Sequence, residues 1–107
     1  MLDNEPTTCD LAVTMQERDA ALDRLCGCLA DATRRRIYQE LGRRPGLTTA
    51  ELAAWEPRMT RWAIMKHLTV LREAGLIQTM PQGRRRRHFR DERGLAPLRE
   101  WLGSGAP

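Results

Sequence analysis

Arg61, Met65 and Thr69 recur at intervals of four, with Trp62 and Lys66 one position further round, so a helix over this stretch gathers all five on one face. The chemistry of such a face is specific. A guanidinium or ammonium suits the O6 and N7 acceptors of guanine, an indole edge or a thioether suits a thymine methyl, and a hydroxyl suits a base or a phosphate. Arg58 and Thr60 lead into it, Thr60 as a helix cap within reach of a phosphate. A second cationic group, the run Arg84, Arg85, Arg86 and Arg87, fits phosphates or the negative potential of a narrow, A·T-rich minor groove. Alternation along a strand lets only two of those four share a face, which leaves the other pair to solvent or to Asp91 and Glu92.

Other reactive side chains are sparse. Cys9, Cys26 and Cys28 form an odd set of thiols, read as reduced. Together they would make a soft trithiolate for an ion such as arsenite, the basis of an alternative reading as a metal- or thiol-responsive protein. Residues two apart on a continuous helix diverge by about 200°, however, and Cys26 and Cys28 are read instead as small buried hydrophobes. His67 sits beside an apolar stripe with no second ligand at a useful offset and reads as structural. No nucleophile is paired with a base, the two histidines are isolated, and Gly83 lacks a phosphate-loop context. The expectation is therefore no enzyme, no catalytic residue, no metal and no cofactor.

These side chains must be carried by elements, and the pattern supplies them. Apolar residues from Leu11 to Leu29 are spaced largely by three and four, a first helix. Asp31 is placed to cap a second, with Ile37 and Leu41 four apart and Gly42 to end it. Thr48-Thr49-Ala50-Glu51 reads as a capping box opening a short third helix that Pro57 stops. Thr60 caps a fourth running through Ala74, with Ile64, Leu68 and Leu71 inward and Gly75 at its close. Leu76–Met80 and Arg86–Arg90 are strand-length and separated by Pro81-Gln82-Gly83, a hairpin. Leu95 to Leu102 forms a last helix with Pro97 in its first turn.

Specific segments carry a resemblance. Leu29-Ala30-Asp31-Ala32-Thr33-Arg34-Arg35-Arg36-Ile37 is similar to the LADPTRRRI segment of the ArsR/SmtB regulators, with Ala32 in the usual proline position. Lys66 to Ile77, KHLTVLREAGLI, resembles that family's exit from its recognition helix into the wing, and Gly83 to Arg87 its GRR-rich wing tip. The resemblance implies an α+β, mostly α, winged helix-turn-helix of about five helices with a two-stranded β-hairpin wing, homodimeric through its first and last helices. Leu11, Met15, Leu22, Leu95, Leu98, Trp101 and Leu102 are the expected dimer contacts. It further implies a sequence-specific, double-stranded-DNA-binding regulator, a repressor on a roughly palindromic operator. It does not imply a metal site: Glu51-Leu52-Ala53-Ala54-Trp55 stands where the thiolate sensors of the family carry ELCVC. A winged helix that binds protein is the remaining alternative, disfavoured by Arg58, Arg61 and Lys66.

Charge is distributed to match. The net charge is +4, yet residues 1–31 hold seven acids against Arg18 and Arg24, so the positive excess lies beyond them, where a polyanion would bind. The expected organisation is a flexible arm over 1–10, one DNA-binding and dimerisation domain over 11–102, and a disordered tail over 103–107. No apolar run is long enough to span a bilayer and the acidic start is unlike a signal peptide, so the expectation is a cytoplasmic protein without a membrane partner. No effector ligand is legible.

Overall fold

A computed structural model describes residues 8–104, with side chains from Met15 onward. Its elements run α1 (Thr8–Leu29), α2 (Ala32–Arg43), β1 (Leu47–Thr48), α3 (Thr49–Trp55), α4 (Arg61–Glu73), β2 (Ile77–Gln82), β3 (Arg85–Arg90), a 3₁₀ turn (Glu92–Leu95) and α5 (Ala96–Ser104).

Three of the helix starts follow from local chemistry. The Asp31 carboxylate accepts from Arg34 N at 3.1 Å, and the Thr60 hydroxyl accepts from Ala63 N at 3.0 Å. At α3 the capping box is reciprocal: Glu51 N donates to Thr48 Oγ1 at 3.1 Å while Thr48 N donates to Glu51 Oε1 at 2.8 Å. Each cap satisfies backbone donors that the first helical turn leaves free, for about 1 kcal/mol. Gly75 leaves α4 at φ 78°, a left-handed conformation that suits glycine.

The core lies among the first four helices and the base of the sheet. Leu25, Ile37, Leu41, Leu52, Ile64, Leu71 and Leu76 are all fully buried, each stabilising the fold by about 1.5–3 kcal/mol. Ile64, Leu68 and Leu71 form the inward stripe of α4, so its other face turns to solvent. The 3₁₀ turn crosses α4's exit so closely that a Cβ at Gly94 would run into the carbonyl of Gly75.

Several expectations need correction. The wing is not a two-stranded hairpin alone: β1 joins it, giving a three-stranded antiparallel sheet in the order β1-β3-β2. Leu47 pairs with His88 and Thr48 with Arg87. The turn is also tighter than expected. Pro81 and Gln82 belong to β2, Gln82 pairs with Arg85, and only Gly83 and Arg84 remain in the loop. Gly83 takes φ 61° while Arg84 does not have positive φ, the pattern of a type II′ turn. Gly42 does not end α2, which continues to Arg43. Within the expected arm, Thr8–Asp10 is helical, and residues 1–7 lie outside the described residues. Gly103 and Ser104 close α5 instead of opening a tail, and residues 105–107 lie outside the described residues.

Candidate nucleic-acid interface

The outer face of α4 carries the side chains that its spacing assigns there: Arg61, Trp62, Met65, Lys66 and Thr69 are exposed, Trp62 at 65% and Met65 at 52%. Large apolar groups so open are unusual on a surface with no partner. Two of them are pre-paired. Lys66 Nζ lies 4.1 Å from the centroid of the Trp62 ring, a cation–π contact that limits where the ammonium can go. Thr69 is committed to its own helix, donating to the Met65 carbonyl at 3.1 Å and lying 3.4 Å from Arg72 Nη2.

The wing stands beside this face. A groove of about 630 Å³ is lined by Thr48, Thr49, Ala50 and Glu51 of α3's start, Arg61 and Met65 of α4, and Arg84, Arg85 and Arg86 of the wing tip. Glu51 is its one acid, and the backbone and hydroxyl of Thr48 hold that carboxyl below the usual glutamate range. The arginine run divides differently from the expected pairs. Arg84, Arg85 and Arg86 are exposed, whereas Arg87 is half-buried, donating to Gln82 Oε1 and, at 2.9 Å, to the Gly46 carbonyl. Asp91 and Glu92 take none of the four: Asp91 accepts from Gln78 and Arg93, and Glu92 pairs with Arg90.

Arg58 and Thr60 lie within the α3–α4 turn. Arg58 is open to solvent but leans on Glu56, whose buried carboxylate accepts from Arg36 at 2.7 Å and from Arg58 Nε at 3.3 Å. Hydrogen bonds from Arg36 and then Arg58 hold that carboxyl below the ordinary glutamate range. Glu56 is thus the brace of the turn, and Arg36 also stacks 5.1 Å from the Trp55 ring. His67 is half-buried, its Nδ1 3.4 Å from Arg34 Nη1. Arg34 also donates to the Cys28 and Gly27 carbonyls, so it ties the end of α1 to α4. His88 is the deeply buried histidine, at 2% exposure. Nothing in its sequence neighbourhood marked it beyond its place in strand alternation.

The remaining candidates separate. Leu22, Leu95 and Leu98 are half-buried, the last two against the core, while Met15, Trp101 and Leu102 are exposed at 64%, 58% and 62%. The side chains of Leu11 and Cys9 lie outside the described ones. Cys28 is buried, and that burial pushes its thiol upward. Cys26 is exposed, which corrects its reading as a buried hydrophobe: on one helix the 200° divergence that hides the first must turn the second outward. Among the described residues no three His, Cys, Asp or Glu side chains come together in a metal-binding group. Ala53 and Trp55 offer no metal donor, and the α3 segment does not fit a thiolate centre.

Comparison with known proteins gives consistent results. A helix-turn-helix domain family model matches residues 29–79. The chain is 44% identical over 77 residues to the HTH-type transcriptional regulator Rv2034 of Mycobacterium tuberculosis, spanning 72% of this chain and 70% of that one. Among solved structures it resembles an ArsR-like transcriptional regulator from Rhodococcus sp. RHA1, with a TM-score of 0.71, 33% identity, and coverage of 79% and 76% of the two chains. It also resembles a possible transcriptional regulator for arsenical resistance, with a TM-score of 0.66, 43% identity, and coverage of 77% and 82%.

Proposed function

The chain belongs to the ArsR family of winged helix-turn-helix, DNA-binding transcriptional regulators, and from that premise we propose that it is a dimeric repressor that reads its operator with α4 and grips it with the wing. One observation carries the division of labour. The open groove has Arg61 and Met65 of α4 on one wall and Arg84, Arg85 and Arg86 on the other. A duplex seated against both would offer base edges to the helix and phosphates or a minor groove to the wing.

In this reading Arg61 and Lys66 recognise guanine, Lys66 from its seat on Trp62, while Trp62 or Met65 meets a thymine methyl. Arg58, Thr60 and the wing arginines hold phosphates; Thr69 contributes from the edge of the face. Arg87 acts differently from its neighbours, because its bonds to Gln82 and Gly46 fix the wing to the turn before β1. Dimerisation is supported by the packing of α1 on α5, which leaves Met15, Trp101 and Leu102 exposed around it. A two-fold pair would present two recognition helices to a roughly palindromic site. Repression is steric, by occupying a promoter in the cytoplasm, and no catalysis is involved. No helix among the described residues is long and apolar enough to cross a membrane. A trithiolate sensor has little support, since Cys26 and Cys28 face opposite ways.

The test is a salt titration on a duplex selected from genomic fragments by the wild-type protein and on its scrambled counterpart. Lys66→Ala and Arg61→Ala are expected to lose about 1–3 kcal/mol on the selected duplex and much less on the scrambled one. An Arg84/Arg86 double alanine variant is expected to weaken both alike and to flatten the dependence of log affinity on log salt by about 0.9 per phosphate contact. If the helix variants lose both duplexes equally while the wing variant loses only the selected one, reader and anchor are reversed.

A further inference from the structure

Beneath the wing, four side chains form one hydrogen-bonded line whose direction follows from its ends. Arg72 on α4 donates from Nη1 to Thr79 Oγ1 on β2 at 3.0 Å. The same oxygen stands 2.9 Å from His88 Nδ1, and His88 Nε2 stands 2.9 Å from Oγ1 of Thr49, the first residue of α3. A hydroxyl that accepts a charge-assisted bond is polarised to pass its own proton onward. The guanidinium beyond it also favours a lone pair, not an N–H, on the near side of the ring. His88 Nδ1 therefore accepts from Thr79, and Nε2 keeps the one proton of the neutral imidazole and donates it to Thr49. A neutral ring agrees with its surroundings, since burial, then Arg72 and Arg86, hold its pKa down to about 4.

The consequence falls on Thr49. Its oxygen is filled from behind by His88, so its own proton is directed away from the ring. Thr49 is half-buried and lines the groove shared by Arg61, Met65 and the three exposed wing arginines. The one carboxylate there is already engaged by the Thr48 amide. What the groove offers at this point is a threonine whose hydroxyl proton is turned from the ring, in a groove lined by Arg61, Arg84, Arg85 and Arg86, the surroundings in which an anionic oxygen is received.

We propose that Thr49 is a phosphate-contacting residue of the DNA interface and that His88 is the positioning residue that, as the neutral Nε2–H tautomer, fixes the Thr49 hydroxyl as a donor toward the groove. This rests on the DNA-binding reading above and adds to it a neutral contact. Such a contact strengthens binding to any sequence without displacing a condensed cation, so it leaves a signature that no arginine can give.

Long-range proton–nitrogen NMR of the wild-type protein at neutral pH reads the tautomer, and Nε2 is expected to carry the proton. Binding is then measured across a salt series on a duplex selected by the wild-type protein from a randomised pool and on its scrambled counterpart. Thr49→Val is expected to weaken both by about tenfold with the slope against log salt unchanged, and Thr49→Ser to restore binding. Arg85→Ala serves as the contrast and flattens the slope. Thr79→Val is expected to reproduce part of the loss, and Thr49→Val to cost less on that background than on the wild type. Wild-type-like binding by Thr49→Val, a loss confined to the selected duplex, or a ring found as the Nδ1–H tautomer or the imidazolium would overturn the proposal. If Arg85→Ala and Lys66→Ala also leave binding unchanged, the whole interface falls with it; if they weaken binding and Thr49→Val does not, the interface stands and only the Thr49 assignment is wrong.

Discussion

Acidification offers a quantitative check on the packing beneath the wing. The His88 ring is 2% exposed between two hydroxyls. Burial first, then the charges of Arg72 and Arg86, lower its pKa from 6.5 to about 4. In the unfolded chain the ring gains a proton near its ordinary value. Between the two values the unfolded state therefore binds more protons than the folded state, so stability rises with pH across that window. The contribution is fully present above about pH 6.5 and is lost as the pH falls toward about 4. Each pH unit within the window is worth about 1.4 kcal/mol, and passage from about pH 7.5 to about pH 4.5 removes about 2.5 kcal/mol. The assay is urea unfolding of the wild type and His88→Gln at fixed protein concentration. Carboxylates held low, such as those of Glu51, Glu56 and Asp91, titrate in both proteins, and the difference between the curves isolates the histidine. The stability advantage of the wild type is expected to shrink by about 2.5 kcal/mol across that span. Parallel curves would show that the ring is not held neutral in the folded protein and would refute the reasoning.

Three further outcomes test other parts of the structure. Gly94→Ala is expected to cost about 2 kcal/mol in urea unfolding, because its Cβ would meet the backbone of Gly75 and neither segment is a flexible side chain; an unchanged midpoint would contradict that close approach. Alkylation of the native protein followed by mass spectrometry should label Cys26 and spare Cys28, whose burial both hides the sulfur and disfavours the thiolate; equal labelling would refute the assigned orientation of α1. Replacing exposed Trp101 and Leu102 with Asp should leave the fold intact and convert a sedimenting dimer to a monomer with weakened DNA binding; a dimer that survives both changes would place its interface elsewhere.

The caps at Asp31, Thr48 and Thr60 were legible because each is made within four residues and uses side chains with few other reasons to stand there. The inward stripe of α4 was legible for a similar reason, its period being the helix's own. What escaped the sequence depends on pairing over long separations. A strand of two residues has no period to detect, and β1 exists only because Leu47 and Thr48 meet His88 and Arg87 some forty residues on. Arg87 resembles its three neighbours in every local respect and differs because the Gly46 carbonyl lies across from it. Gly42 has a stop residue's identity but remains helical, since the cap is made two residues later by the Arg44 amide on the Glu40 carbonyl. Of the two neighbouring cysteines, Cys28 is buried as read and Cys26 was misjudged on a point that local geometry already held: the same angle used against a shared site forbids both from being buried by one neighbour.

The placing of β2 on the outside of the sheet bears on self-association. A free strand edge exposes amide donors and carbonyl acceptors to any other extended chain, and an exposed edge at the tip of a protein is where unwanted strand addition begins. The two-residue turn settles which groups face outward here. With Gln82 and Arg85 closing the hairpin as a hydrogen-bonded pair, the next pair, Pro81 and Arg86, turns its backbone groups away from the partner strand. The outward position nearest the tip, ahead of Thr79 and Ile77, thus falls on the residue that has no N–H to offer, beside side chains that carry positive charge. A second copy approaching edge to edge finds a missing donor and like charges, so the wing can stay uncovered in the free protein without recruiting its own kind.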